Sequence, residues 1–138
     1  MRILFDVNVV LDVLLDRKLH VEGSAAAWAA VETGSAEGLL AAHAVTTIHY
    51  LARKEMSAAK ARQTVAAILG VFGVAAVDGA VIAQALQLPC SDFEDAVTAA
   101  AARLAGCDYI VTRDPKGFRG SPIRPLTPEM LSPLLGKV

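Results

Sequence analysis

The sequence is short of aromatic residues (5%), holds only two cysteines, and has no excess of either charge: 13 basic against 14 acidic side chains leave a net charge of −1. Each shortage excludes something. Few aromatics in a 54% hydrophobic chain rich in alanine argue against an aromatic-rich β-sandwich and for closely packed helices. Cys90 and Cys107 form no CxxC and have no histidine at ligand spacing, which argues against a zinc site and for two small half-buried residues in a reducing compartment. Without a broad basic field, any contact with nucleic acid has to rest on a local patch or on bound cations. No apolar run approaches the roughly 20 residues of a membrane span. The N-terminus shows no charged-then-apolar segment with a small-residue cleavage site, and Asp6 and Asp12 interrupt the only candidate. A cytoplasmic protein without membrane contact is the expectation. At 138 residues, one domain over 1–138 is the simplest organisation.

What the chain does have is alternation of strand and helix signals. "RILFD" reads as a short buried strand, followed by a helix capped by Asn8 and ending near Arg17. "HVEGSAAAWAAVETG" is a helix stopped by Gly34, "GLLAAH" a strand, and "VTTIHYLARK" a helix. "SAAKARQTVAAILG" is a helix capped by Ser57, "GVAAV" a buried strand, and "DGAVIAQALQL" a helix capped by Asp78. In "SDFEDAVTAAAARLAG", Ser91 and Glu94 have capping-box spacing, and Phe93, Val97, Ala100 and Leu104 form the predicted buried stripe. "DYIVT" and "IRPL" complete five strands, with "RDPKGFRGSP" a turn-rich loop between them; Thr127 and Pro128 open a last helix. The alternation predicts an α/β fold: a three-layer α/β/α sandwich around a mainly parallel sheet of about five strands. "GVAAV" and "DYIVT", nearly continuous apolar runs, read as central strands.

Open parallel sheets bind ligands at the carboxyl ends of their strands. Asp6 closes the first strand, Asp114 lies just past "DYIVT", and Asp92, Glu94 and Asp95 lie in the first turn of the helix that feeds that strand. Three distant segments thus send carboxylates to one rim, with Asp6 placed at the mouth of the core rather than within it. Such acids repel one another and take up protons unless a cation relieves them. Oxygen ligands without cysteine suit Mg²⁺ or Mn²⁺, and a cation there suits metal-assisted hydrolysis of a phosphodiester. Helix-dipole stabilisation is a competing role for Asp92 and Glu94, and capping for Glu94. Asp12 is either an inward supporting acid or a solvated one. Asp16 reads as surface, Asp78 as a cap. Arg113, Lys116, Arg119 and Arg124 surround Asp114; Arg113 and Lys116 are the candidates for substrate phosphate contacts, with a solvated loop as the alternative. Tyr50, Tyr109 and Phe118 are the few candidates for base stacking, Tyr109 reading as core.

"ILFDVNVVLDVLLDR", "DFEDAVTAAAARLAGCDYIVTRDPKGF" and "SPIRPLTPEMLSPL", in this order and at this separation, resemble a PIN domain of the bacterial kind close to VapC-type toxins. The resemblance covers essentially the whole chain. It implies a metal-dependent ribonuclease, and it carries the family's catalytic and metal-binding acids onto Asp6, Asp95 and Asp114. Asp92 is an extra ligand in this reading. Asn8 falls in the D-x-N slot, and Thr112 is an orienting hydroxyl. RNA is the implied substrate, Mg²⁺ or Mn²⁺ the cofactor, and an antitoxin protein a possible partner.

One departure stands out. Many members carry a Glu in a T-x-x-E stretch of the helix after the second strand; here "VTTIHYLARK" has no acid before Glu55, and Thr46, Thr47 or His49 takes the place. Asp92 or Asp12 could compensate. The alternative is a catalytically weak or inactive PIN-like module that binds RNA or a protein. A phosphatase of another α/β class is a third reading, weakened because Asn8 stands where its second Asp belongs. The high apolar fraction predicts a homodimer, with Ile48, Leu51, Val65 and Ile68 as candidate interface residues. His20 and His43 read as loop or strand-end residues without partners.

Overall fold

A computed structural model of the chain describes residues 1–135. Five strands, β1 (Arg2–Phe5), β2 (Glu37–Ala41), β3 (Gly73–Ala75), β4 (Tyr109–Val111) and β5 (Arg124–Leu126), form one parallel sheet in the order β3-β2-β1-β4-β5. Among the described residues, seven helices accompany them: α1 (Val7–Leu14), α2 (Val21–Glu32), α3 (Ala42–Glu55), α4 (Ala58–Leu69), α5 (Gly79–Ala85), α6 (Phe93–Leu104) and α7 (Pro128–Leu135). The α/β class, the parallel sheet and its five strands are as the sequence predicts.

Side chains alternate across the strands and build two cores. Ile3, Phe5, Leu40 and Val111 face α1–α4 and α7, where Phe5 and Trp28 both meet Phe72 edge-on. Leu4 and Ile110 face α5 and α6. From Ala96 to Ala102 every residue of α6 is buried, because alanine lets this helix sit close to the sheet and to α5. That depth holds the first turn of α6 beside the ends of β1 and β4.

Several elements depart from expectation. The cap of α1 is Asp6, not Asn8: the chain turns directly after β1, so Asn8 lies exposed inside the first turn. The helix ends at Leu14 rather than near Arg17; Asp16, at φ 48°, adopts the left-handed conformation that an acid tolerates better than most residues. Helix α3 begins at Ala42, so His43 belongs to its first turn and not to a strand. Strand β3 is an edge, with Val74 half exposed, instead of a central strand. Its Gly73 is close-packed, since a Cβ there would lie 2.7 Å from Leu39 Cδ2. On α6, Val97 and Ala100 are buried but Phe93 and Leu104 lie about half in solvent, because the ends of the helix overhang the sheet. Ile48 and Ile68, expected at an interface between copies, are consumed by the core.

Candidate active site

Asp6 stands where β1 ends. Its amide donates to the Val111 carbonyl at 2.9 Å, continuing the ladder with β4 one residue past the strand. Its side chain is 7% exposed, so it is buried rather than at an open mouth. Asp6 Oδ2 accepts from Thr112 Oγ1 at 2.8 Å, and the same hydroxyl oxygen accepts from the Asp114 amide at 3.1 Å. Thr112, fully buried, thereby fixes Asp6 to the segment that carries Asp114.

Asp95 enters from α6. Asp92 caps this helix, its Oδ1 accepting from the Asp95 amide at 3.2 Å, so the predicted Ser91–Glu94 capping box does not form. Asp114 precedes a 3₁₀ turn (Pro115–Phe118), and Gly117 in that turn brings Asp114 and Asp95 together. A Cβ on Gly117 would lie 2.7 Å from Asp95 Oδ2 and 3.5 Å from Asp114 Oδ2. Both carboxylates therefore flank one point of backbone, and a side chain there would push the Asp95 carboxylate aside.

Burial and mutual repulsion raise two of these acids. Desolvation pushes Asp6 up to about 6, against the Thr112 hydrogen bond, and the charge of Glu94 adds to the rise. Desolvation also lifts Asp95, to about 7, helped by the charges of Asp6, Glu94, Asp92 and Asp114. Acids from β1, α6 and the segment after β4 thus share one electrostatic neighbourhood.

A second carboxylate supports the first. Asp12 on α1 is completely buried. Its Oδ2 accepts from Ser24 Oγ at 3.0 Å and lies 2.8 Å from Arg113 Nε, while Arg17 approaches Oδ1 at 3.5 Å. The Arg113 contact is an ion pair whose N–H does not point at the oxygen, since Arg113 Nε makes no directed hydrogen bond. The role expected for Arg113 changes accordingly. Its guanidinium is turned inward to Asp12 and anchors the segment carrying Thr112 and Asp114, instead of standing free for a substrate phosphate. Lys116 is exposed and remains available. Phe118 is buried and offers no stacking face, whereas Tyr50 is 60% exposed, with Lys54 Nζ 4.6 Å from the centre of its ring.

Of the α3 residues considered for the missing acid, His49 lines a groove with Val45, Thr46, Arg62, Val65, Ala66 and Leu69, none of them acidic. Thr46 and Thr47 are exposed. His43 is the residue that the sequence reading missed: its Nε2 lies 3.0 Å from Glu94 Oε2. Gly117 was missed as well, although a glycine three positions after Asp114 was the available signal.

The donor set fits a hard divalent cation, being all oxygen, partly desolvated, self-repelling and grouped beside a glycine cradle. Among the described residues, no three Asp, Glu, His or Cys side chains are drawn tightly enough to form a ready-made cage. A cation there would have to draw these carboxylates closer together than they stand.

The comparisons bear on the same region. Residues 2–116 match the family model of the PIN domain. No curated protein matches the chain by sequence. Among solved structures, the chain is similar to FitAcB from Neisseria gonorrhoeae (22% identity, TM-score 0.70, covering 94% of this chain and 99% of that one). It is similar to a toxin–antitoxin complex from Klebsiella pneumoniae (21%, 0.68, 91% and 96%). It is also similar to VapBC2 from Rickettsia felis bound to a promoter DNA fragment (11%, 0.70, 92% and 98%). Those likenesses show a shared fold over nearly the full length of each chain, and the family match spans β1, α6, β4 and Asp114: the chain belongs to the PIN-domain family.

Proposed function

We propose that this protein is a metal-dependent endoribonuclease, the toxin of a toxin–antitoxin pair. The observation that carries the reading is the grouping of Asp6, Asp95 and Asp114 around Thr112 and Gly117, with two of the three acids raised by burial and repulsion. Asp6 and Asp95 would hold the cation, with Asp114 beside Gly117 as a third ligand. Asp92 adds negative charge from the helix cap. A bound Mg²⁺ or Mn²⁺ supplies Lewis acidity toward a phosphodiester and the water that attacks it. Thr112 orients Asp6, and the Asp12–Arg113 pair steadies the segment of Asp114. Lys116, exposed two residues from Asp114, meets the phosphate backbone and gives local attraction that a net charge of −1 does not. A homodimer in the cytoplasm is the proposed working context, and neighbours that are themselves toxin–antitoxin complexes support its being held inactive by an antitoxin.

The second reading, a PIN-like module that binds RNA or protein without cleaving, draws on one observation: α3 contributes no acid between Ala42 and Arg53. Incubation with structured RNA separates the two. The nuclease reading expects cleavage with Mn²⁺, loss of cleavage on chelation, and recovery when Mn²⁺ is restored. Cleavage indifferent to chelation, or RNA retained intact with Mn²⁺ present, contradicts it.

A further inference from the structure

The net charge of −1 is unevenly spread. Residues 42–70, which hold α3 and α4, have four basic side chains and one acidic, whereas the rest of the chain has nine basic and thirteen acidic. Arg53, Lys54, Lys60 and Arg62 are all exposed, and among the described residues none of the four is paired with an acid. Cations in the last turn of a helix relieve its dipole, which accounts for Arg53 and Lys54. It does not account for Arg62, inside α4, nor for an exposed tyrosine one turn before Lys54.

Helical spacing sets His43, Thr47, Tyr50 and Lys54 in one row along α3, at i, i+4, i+7 and i+11. Thr46 and Arg53 flank that row on the side of α4, where Arg62 shares a groove with Thr46 and His49. The inner end of the row is tied to the acidic rim, since His43 Nε2 lies 3.0 Å from Oε2 of Glu94, the neighbour of Asp95. The outer end is about 16 Å further along the helix. Tyr50 is 60% exposed, and Lys54 Nζ stands over its ring at 4.6 Å, so an aromatic surface and a positive charge are offered together. Hydroxyls, a ring and then cations are what a single strand of nucleic acid needs: stacking for a base, hydrogen bonds and charge for its phosphates. A second copy of this chain is a poorer occupant. In a two-fold pair the surface faces itself, and this one has a single acid to answer four cations.

We infer that the exposed face of α3, with Arg62 of α4, is a track for single-stranded RNA leading to the acidic rim: a base stacks on Tyr50, and Arg53, Lys54 and Arg62 meet the phosphates around it. The inference rests on the ribonuclease reading for its ligand and adds where the strand lies outside the cleavage centre. The grip is tolerant of sequence, because every base has a face to stack.

Fluorescence anisotropy with a labelled oligouridine of about a dozen nucleotides, in the presence of chelator so that nothing is cleaved, tests this on variants whose circular dichroism matches wild type. Wild type binds. Tyr50→Ala binds about tenfold more weakly, and Tyr50→Phe, which keeps the ring, stays near wild type. Arg53→Gln combined with Lys54→Gln flattens the slope of log affinity against log salt by roughly 1.4, at about 0.7 per phosphate contact on a single strand. Arg62→Gln flattens it further. Lys18→Gln combined with Arg103→Gln, an equal loss of charge at exposed positions outside α3 and α4, leaves the slope unchanged. Equal binding by wild type and Tyr50→Ala, or a control pair that weakens binding as much as the α3 pair, overturns the track. A Tyr50→Ala protein that sediments as a smaller species than wild type also overturns it, by making this face a contact between copies. Wild type that does not bind the strand yet cleaves RNA with Mn²⁺ overturns the track and leaves the nuclease reading intact, while a protein that neither binds nor cleaves removes both.

Discussion

Asp6→Asn makes the metal-free protein more stable above pH 6 while removing its RNA cleavage. Asp6 is 7% exposed, and burial raises it to about 6 from an ordinary value near 3.8. A carboxyl raised on folding favours the native state fully while it is protonated, below its unfolded value. That contribution is lost as pH climbs through the folded value near 6. Asp95, raised to about 7 in part by the Asp6 charge, adds to the same loss at slightly higher pH. Metal-free wild type is therefore expected to melt at progressively lower temperature between pH 5 and pH 8. An asparagine still accepts from Thr112 Oγ1 but has no charge to desolvate, and it relieves Asp95. At pH 8 the gain is about 2 kcal/mol at 1.36 kcal/mol per pKa unit with partial relaxation of the site, or roughly 5–8 °C in melting temperature. Mn²⁺ reverses the order, because an ion that binds only the folded state stabilises wild type and not the variant. Cleavage falls by roughly a thousandfold, the value of several kcal/mol of charge stabilisation by a well-held cation. Melting curves with and without Mn²⁺ at pH 5 and 8 check the stability half. A variant that melts below wild type without metal at pH 8 contradicts the account of Asp6 as a strained, functional acid.

The second large effect falls on Asp12. Asp12→Ala strands a buried hydroxyl on Ser24, frees Arg113 and Arg17 from their common partner, and leaves a small void. Removing one side of a buried ion pair costs about 3–5 kcal/mol, and the arginines are only 27% and 33% exposed, so they recover part of that in water. A loss of about 3 kcal/mol, or roughly 10 °C, is expected. Asp12→Asn, which keeps the volume and the Ser24 contact, loses about half as much. Denaturant unfolding measures both. A change below about 1 kcal/mol in Asp12→Ala would show that Asp12 does not anchor the Arg113 segment.

Where local chemistry marks the chain, the sequence was readable. Ser57 caps α4 by accepting from the Lys60 amide, and Asp78 caps α5 through the Val81 amide, both at the positions their side chains announce. Strand β1 and the alanine-rich α6 follow from apolar runs bounded by polar residues. The junction of β2 and α3 carries no such mark. Ala41 and Ala42 lie on either side of it with no side-chain cap, so nothing local marks the helix start and His43 reads as an unpartnered strand end. Glu94 was obscured for a related reason. Ser91 and Asp92 both suit a cap, and only the backbone shows that Asp92 is the one used. The acids of the rim were visible because strand ends collect ligands in this architecture. The pairing of Asp12 with Arg113 was not, because nothing local to either residue encodes a contact between the first helix and the segment after β4.

The central claim is that Asp6, Asp95 and Asp114 share one divalent ion. Crystals grown with Mn²⁺ and measured where manganese scatters anomalously test it most directly. The account predicts one strong anomalous peak at the end of β1, roughly 2.1 Å from an oxygen of Asp6 or Asp95, on the side facing Gly117. A map with no peak there, or with manganese bound only at carboxylates remote from these three, contradicts it.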